Sequence, residues 1–427
     1  MSMYITALDF GSSHLKGIIA DIKKDGSLVV LKTIKKESAG IKRGEIVYPE
    51  ETVKSLFEVL SEARHFDKRC LKNLVCGLSG TKSKFGLSHA SVSIPRPDLE
   101  IISEDVDRVI HESMAINLPA GWQILHSLPR EYIIDDIQVD DADVVGLSGK
   151  KLEANVIIIS VFSSIRKNFE KVLQLVFGKK SDFSGSIIFS PLACDRAVLS
   201  KQQRELGVVL IDVGFGTTSV IIYQDGKMLT AKVLPVGAGN ITNDIAIGLK
   251  CSVGAAERIK VAFGCAFARD VSSKEKFNLA EFEEGHDVTI SRKYVAEIVE
   301  VRVREIFGLV QAELKTLGKA GKLPGGAVVT GGGAKMPGIL DIAREELRLP
   351  AQVGLPNTDV FEKTNPRLDD DLSDPQMAVA CGLLLQQTDM LIKRHTGIMP
   401  FSGAARGGWL ERGSLIAKFI RTFITLD

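Results

Sequence analysis

The 427-residue chain has no apolar run approaching the ~18 residues that a membrane-spanning helix needs. It also lacks the basic region, apolar stretch and small-residue cleavage site of a signal peptide, so no leader is expected. Its cysteines, Cys70, Cys76, Cys194, Cys251, Cys265 and Cys381, form neither a C-x-x-C pair nor a Cys/His spacing suited to a metal. Buried, reduced thilols of this kind are expected in place of a disulfide framework. Neither sign of charge is in excess: a net charge of +1 removes any global electrostatic case for nucleic acid as a partner. Disorder is excluded as well, because 45% hydrophobic and 25% charged residues is a globular balance. At this length one core does not suffice, and two or more subdomains are expected.

What the chain does contain is one unit written twice. Near its start, Ile5 and Leu8 lead into Asp9-Phe10-Gly11-Ser12-Ser13, followed by Leu15-Lys16-Gly17-Ile18-Ile19-Ala20. Half-way along, Val208-Val209-Leu210-Ile211 leads into Asp212-Val213-Gly214-Phe215-Gly216-Thr217-Thr218, followed by Val220-Ile221-Ile222-Tyr223. Both units close on an Asp-Gly pair, Asp25-Gly26 and Asp225-Gly226, the strongest short signal for a tight hairpin. A glycine-rich bend lets backbone N–H groups close on phosphate oxygens, and neighbouring hydroxyls add donors. One carboxylate per loop, Asp9 and Asp212, suits a magnesium ion that keeps several of its waters.

Helical periodicity covers 50–63, with Val53, Leu56, Phe57 and Leu60 as the apolar stripe, and a short strand follows at Leu74–Leu78. From about 82 to 160 the pattern changes to a small α+β insertion. Strand-like runs at 91–94, 122–128, 132–134 and 155–162 surround a helix beginning at Ser103, whose first turn carries Glu104, Asp105 and Asp107 at the positive end of its dipole. A buried strand is expected at 187–189, a charged helix over 291–317, and a strand at 327–329 that runs into Thr330-Gly331-Gly332-Gly333. Residues 375–392 read as an apolar helix packing back onto the body, and Asp369-Asp370-Asp371 and Asp140-Asp141 as solvated loops. Beyond Lys393, a linker with Gly397, Gly403, Gly407 and Gly408 precedes 409–427, where Trp409, Leu410, Ile416, Phe419, Ile420, Phe423 and Ile424 gather on one broad helical face. Tethered and slightly basic, this segment suits a membrane interface.

Two Asp-Gly-hydroxyl loops with a late Gly-Gly-Gly turn resemble the actin-like ATPase superfamily. Leu125-His126-Ser127-Leu128-Pro129-Arg130-Glu131-Tyr132, Val145-Gly146-Leu147-Ser148-Gly149, Glu205-Leu206-Gly207-Val208 and Ile259-Lys260-Val261-Ala262-Phe263-Gly264-Cys265-Ala266 resemble more closely the FtsA family of bacterial cell-division proteins, in the family's order along the chain. The resemblance implies an α/β, actin-like (duplicated ribonuclease-H-like) two-domain fold with an inserted α+β subdomain and a C-terminal amphipathic helix. Its domains would be 1–81 with 161–205 (1A), 82–160 (1C, SHS2-like), 206–244 with 319–392 (2A), 245–318 (2B), a linker at 393–408 and a membrane-targeting helix at 409–427.

The same resemblance implies ATP and magnesium as cofactors. Gly11, Ser12, Ser13 and Lys16 would meet the phosphates from one side and Gly214, Gly216, Thr217 and Thr218 from the other, with Asp9 and Asp212 holding magnesium through water. Gly331, Gly332 and Gly333 would admit the adenosine, bracketed by Glu257 and Lys260, which share a helical face. Phe215 stands where a third glycine is usual, and Ser190 where hydrolytic relatives place a glutamate, so slow or absent hydrolysis is expected. Implied partners are the C-terminal tail of FtsZ, further copies of the chain in a filament, later division proteins through 82–160, and lipids of the cytoplasmic face of the membrane at the division site. For the FtsZ tail, Arg302 and Arg292 on the 291–317 helix are the basic candidates; the alternative is a solvated face paired with Glu297, Glu300 and Glu305. A pilus-assembly protein similar to PilM and a sugar-kinase-type enzyme are the other readings within the superfamily, and the amphipathic terminal segment argues against both.

Overall fold

The duplicated sequence unit becomes a duplicated sheet. In the first lobe Met3–Phe10 pairs antiparallel with His14–Ile22, and that strand with Leu28–Glu37. On its other edge Met3–Phe10 runs parallel to Leu74–Leu78, which runs parallel to Ser186–Phe189. The second lobe repeats the plan: Val208–Val213 pairs antiparallel with Thr218–Gln224, then Lys227–Leu234, and on the other edge runs parallel to Ala327–Thr330 and Ala351–Val353. A late strand, Phe361–Lys363, returns to extend the first sheet beside Leu28–Glu37. This is the actin-like fold. The computed structural model describes residues 3–23, 26–139, 144–177 and 186–395. Asp25, the Asp140-Asp141 cluster and the amphipathic segment 409–427 lie outside the described residues.

The central strands are apolar on both faces because both faces are covered. Alternate residues of Val208–Val213 serve different cores: Val208 and Leu210 join the core of the first lobe, while Val209, Ile211 and Val213 join that of the second. At the hairpin end of the second unit, Asp225 and Gly226 both take positive φ, 52° and 72°, as a two-residue turn matched to strand twist requires. The helix Pro49–Phe66 starts on a proline with Glu50 and Glu51 in its first turn and buries Leu56, Val59, Leu60 and Ala63. Its stripe is thus rotated from the expected one, and Phe57 is left 61% exposed.

The insertion has its own core around Val109, Ile110, Leu152 and Val156. Its sheet runs Ser83–Ser93, Lys151–Phe162, Trp122–Ile134 and Ile137–Val139 in spatial order, antiparallel throughout. Where the sequence suggested two strands at 122–128 and 132–134, one continuous strand runs through Pro129. A register shift there, from Val156↔Pro129 to Asn155↔Glu131, leaves Arg130 unpaired, which is how a strand accommodates a residue without an N–H. Asp369-Asp370-Asp371 is likewise not a loop: it lies in the helix Arg367–Ser373, with Asp369 and Asp370 in its favourable first turn.

The helices Ala238–Leu249, Val253–Phe263 and Arg292–Thr316 build the upper part of the second lobe. The 375–392 segment divides into a 3₁₀ turn, Pro375–Met377, and the helix Ala378–His395, which crosses Ser190–Val198 closely enough that a Cβ on Gly382 would lie 1.6 Å from the Ala193 carbonyl oxygen. All six cysteines are free, and all but Cys251 are buried. Among the described residues no helix is long and apolar enough to cross a membrane.

Candidate functional site

Both Asp-Gly-hydroxyl loops end a buried strand, and the two lobes turn those ends toward each other. Between them lies a cleft of about 480 Å³. Asp9, Gly11, Ser12, Ser13 and Lys16 line it from the first lobe; Asp212, Gly214, Gly216 and Thr217 line it from the second. The loops nearly touch, for a Cβ on Gly216 would come within 2.8 Å of Ser12 Oγ and 3.0 Å of the Arg43 nitrogen.

Each loop is braced from behind. The Ser12 hydroxyl accepts the Gly44 N–H at 2.9 Å, and Ser13 Oγ lies 2.8 Å from His14 Nδ1. In the second loop the Gly214 N–H donates to the Thr217 carbonyl at 2.9 Å, while the carbonyls of Gly214 and Phe215 accept the N–H groups of Ala238 and Gly239 at 2.8 and 2.7 Å. The Phe215 ring settles over Gly239, where a Cβ would approach it to 2.7 Å, and 5.4 Å from the Lys260 ammonium. A bulky side chain is therefore compatible with this loop because glycine stands opposite.

Thr218 corrects the expectation for this loop. Its hydroxyl is fully buried and donates to the Val236 carbonyl at 2.8 Å, so it fastens the loop from beneath and offers nothing to the cleft. As the first residue of a strand it obeys the pleat: the next residue, Ser219, lines the cleft instead.

The glycine triplet lines the cleft, and two of its members are also needed for packing within the chain. Gly331 adopts φ +81°, and a Cβ there would lie 2.1 Å from Asp212 Oδ1; one on Gly333 would lie 2.3 Å from Val213 Cγ1. These two glycines are required by the neighbouring loop of this chain, while Gly332 has Gln376 as its nearest neighbour, 3.4 Å from such a Cβ.

Glu257 and Lys260 also line the cleft and hold each other at 2.7 Å. The Thr242 hydroxyl joins them, 2.5 Å from Glu257 and 2.9 Å from Lys260. The three helices of the second lobe add an apolar wall that includes Ile241, Val261, Val303 and Phe307.

The opposite part is strongly charged. Lys16 Nζ lies 2.6 Å from Asp9 Oδ2. Burial works against this ammonium, but Asp9, Asp212 and Asp374 outweigh it and its pKa lies above the usual value. Burial pushes the Asp212 carboxyl up to about 6, against the pull of Lys16 and with the nearby charge of Asp9 adding to it. The His14 imidazole is held below its ordinary pKa by burial and then by the ammonium groups of Lys35 and Lys16. Ser190 lines the cleft at the start of the helix Ser190–Val198, with no carboxylate in its place. Apolar at one wall, cationic at another, and glycine-rich between, the cleft has the chemistry of a site for a phosphorylated ligand with an apolar moiety.

Sequence reasoning missed His14, Lys35, Lys335 and Gln376, all of which line the cleft. Lys35 reaches it by strand register, and Gln376 by the return of a distant segment. Arg302 and Arg292 lie outside it and are held by carboxylates: Arg302 by Asp244 at 2.6 and 2.8 Å and by Glu305, Arg292 by Glu275 at 2.5 Å. The basic face expected for an acidic peptide is thus largely neutralised within the chain.

The family model described as cell division protein FtsA matches residues 209–382, and that of the SHS2 domain inserted in FtsA matches residues 80–160. The cell division protein FtsA of Pseudomonas aeruginosa is 31% identical over 412 residues, 96% of each chain. That of Bacillus subtilis is 32% identical over 355 residues, 83% of this chain and 79% of its own. Among solved structures, a chain of the PilM–PilN type IV pilus biogenesis complex superposes with a TM-score of 0.62 at 17% identity, covering 93% of this chain and 99% of its own. MreB 5 of Spiroplasma citri bound to AMPPNP gives 0.53 at 14% identity, covering 92% and 98%.

Proposed function

The chain belongs to the FtsA family of cell-division proteins, and on that premise we propose that it is an ATP-binding protein that assembles into filaments and tethers FtsZ to the cytoplasmic face of the cell membrane at the division site. The observation that carries the nucleotide part is the convergence of Gly11–Lys16 and Gly214–Thr217 on one cleft, with the buried pair Lys16–Asp9 and the carboxyl of Asp212 at its charged wall. Phosphates would lie between the loops, and the base against the wall of Ile241 and Val261.

The donor set fits magnesium. Among the described residues no group of three metal-ligating side chains exists, which argues against a cage built by protein alone. Asp9 and Asp212 suit an ion that keeps waters and takes further oxygens from phosphate. Bound there, the ion would offset phosphate charge. Asp212 would orient its waters, Lys16 would hold phosphate oxygens as a point charge, and Gly331 would let Asp212 keep its position. Ser190 supplies no base for the attacking water, so ATP would act chiefly as an assembly ligand, shifting polymerisation through its differential affinity for the assembled state.

The insertion is proposed to serve self-association and later division proteins, and the second lobe's upper helices the FtsZ tail. An acidic residue of that tail would displace Glu305 from Arg302, the more exposed partner of the two. The pilus-assembly reading shares the fold at 17% identity, whereas the relatives at 31–32% are cell-division proteins. Flotation with anionic liposomes tests the whole proposal. The protein should carry FtsZ into the lipid fraction, and a variant with Phe419→Glu and Phe423→Glu should stay behind while still binding Mg-ATP. A double variant that floats with the lipid would refute the anchor.

A further inference from the structure

Two lysines face each other across one strand pair in the cleft. In the register of His14–Ile22 against Leu28–Glu37, Lys16 and Lys35 are direct partners, and both line the cavity. Like charges directly opposite on a sheet repel, so the arrangement is unfavourable unless anions neutralise it. Lys16 has its anion in Asp9. Lys35 does not: it donates to the neutral Oε1 of Gln376 at 2.9 Å, and no ion pair reaches it among the described residues. The carboxylate nearest in influence, Asp374, is taken by Lys335 at 2.8 Å.

Among the described residues, the charged wall therefore has two members without a salt-bridge partner of their own. Asp212 is the acidic one, and its need is met in the magnesium reading above. Lys35 is the basic one. An ammonium offers three donors, and the single amide bond to Gln376 leaves two of them for a ligand.

We infer that Lys35 is a binding residue for the phosphate chain, a second ammonium that works with Lys16 and makes affinity depend on the number of phosphates the nucleotide carries. Two observations besides the register agree with it. The side chain of Lys35 keeps solvent access, yet partial burial holds its ammonium below its ordinary pKa, with Lys16 and Lys335 adding to the effect against Asp374, which is the state an incoming phosphate would relieve. His14, on the adjoining strand, is depressed first by burial and then by the ammonium groups of Lys35 and Lys16. Gln376 has a part as well. Its amide holds the Lys35 stem toward the cleft without spending the charge, as a carboxylate there would.

This inference rests on the nucleotide reading of the cleft, and the test separates the two. Full-length protein and its Lys35→Gln and Lys35→Arg variants are titrated calorimetrically with Mg-ATP, Mg-ADP and adenosine. Wild type should bind all three, with affinity rising with phosphate number. Lys35→Gln should lose roughly tenfold or more in ATP affinity, the scale of one charged hydrogen bond, less for ADP and nothing for adenosine. Lys35→Arg should recover most of the loss. Equal weakening for all three ligands would make Lys35 a structural residue, and unchanged ATP affinity would remove it from the site. A wild type that binds none of the three would overturn the nucleotide reading itself, whatever the variants do.

Discussion

Asp212 shows what a carboxylate buried at the cleft costs the fold. Its pKa of about 6 stands above that of an ordinary aspartate near 3.8, chiefly because burial disfavours the charge. The folded state thus holds this proton more tightly than the unfolded one. The group's contribution is intact below pH 3.8 and is lost as pH rises through about 6, so at neutral pH the charged carboxylate costs at most about 3 kcal/mol. Asp212→Asn should therefore raise the unfolding temperature of the ligand-free protein at pH 7.5 and abolish the magnesium dependence of ATP binding. Calorimetric melting in EDTA and titration with and without magnesium check both halves; a less stable variant would contradict this view of the site. Asp9, Lys16 and Asp212 were legible in the sequence because each sits in a local motif whose glycines and hydroxyls announce the bend. Lys35 was not, since its place depends on which residue of the next strand stands opposite Lys16. Thr218 was misread because a motif gives residue types, while the pleat decides which of two neighbours faces the cleft.

Elements transmit constraints that no motif describes, and His126 is the case here. It lies in Trp122–Ile134 of the inserted sheet, yet its Nε2 accepts the N–H of Phe189 at 2.9 Å, the residue just before the helix that Ser190 opens at the cleft wall. The inserted subdomain thus fixes the backbone at the cleft. Burial lowers the His126 pKa to about 4, and the charge of Arg166 adds to the effect. Because the unfolded chain protonates near 6.5, the stabilisation is full above that pH and is lost as pH falls toward 4, by at most about 3 kcal/mol. Denaturant midpoints measured from pH 7.5 to 4.5 should fall more steeply for wild type than for His126→Gln, which retains an acceptor and does not titrate. Parallel profiles would mean that the imidazole is not neutral and bonded in the native state. At this scale the sequence revealed the repeats, the insertion and the long helix, because each has a strong period or a sharp turn. It did not reveal the bulge at Pro129, since two apolar runs flanking a proline look alike whether the strand breaks or bends.

At the scale of the whole molecule, the lobes are fastened on one side and meet again, more lightly, across the cleft. On the fastened side Asp195 accepts from Tyr223 Oη at 2.8 Å, and Lys227 pairs with Glu131 of the insertion at 2.5 Å. At the cleft the lobes meet where Gly216 approaches Ser12 and Arg43. A nucleotide held by both phosphate loops would add contacts across the cleft, and anything that binds the native state alone stabilises it by mass action. At a hundredfold excess over Kd that is about 2.7 kcal/mol. Mg-ATP at that excess should raise the melting temperature in a single transition and contract the particle in small-angle scattering. Adenosine at the same multiple of its own Kd should raise the melting temperature as much without the contraction, because it cannot join the two phosphate loops. Under the proposed filament assembly, closure would also matter beyond the monomer, since a filament repeats one rigid shape and mobile lobes would spread the chain over many. Assembly would then present many terminal segments to the membrane at once, and avidity would convert individually weak tethers into stable attachment. If contraction and lipid flotation both respond to Mg-ATP, and neither responds to adenosine, closure is the link between them. Contraction without any gain in flotation would break that link and leave the nucleotide a purely structural ligand.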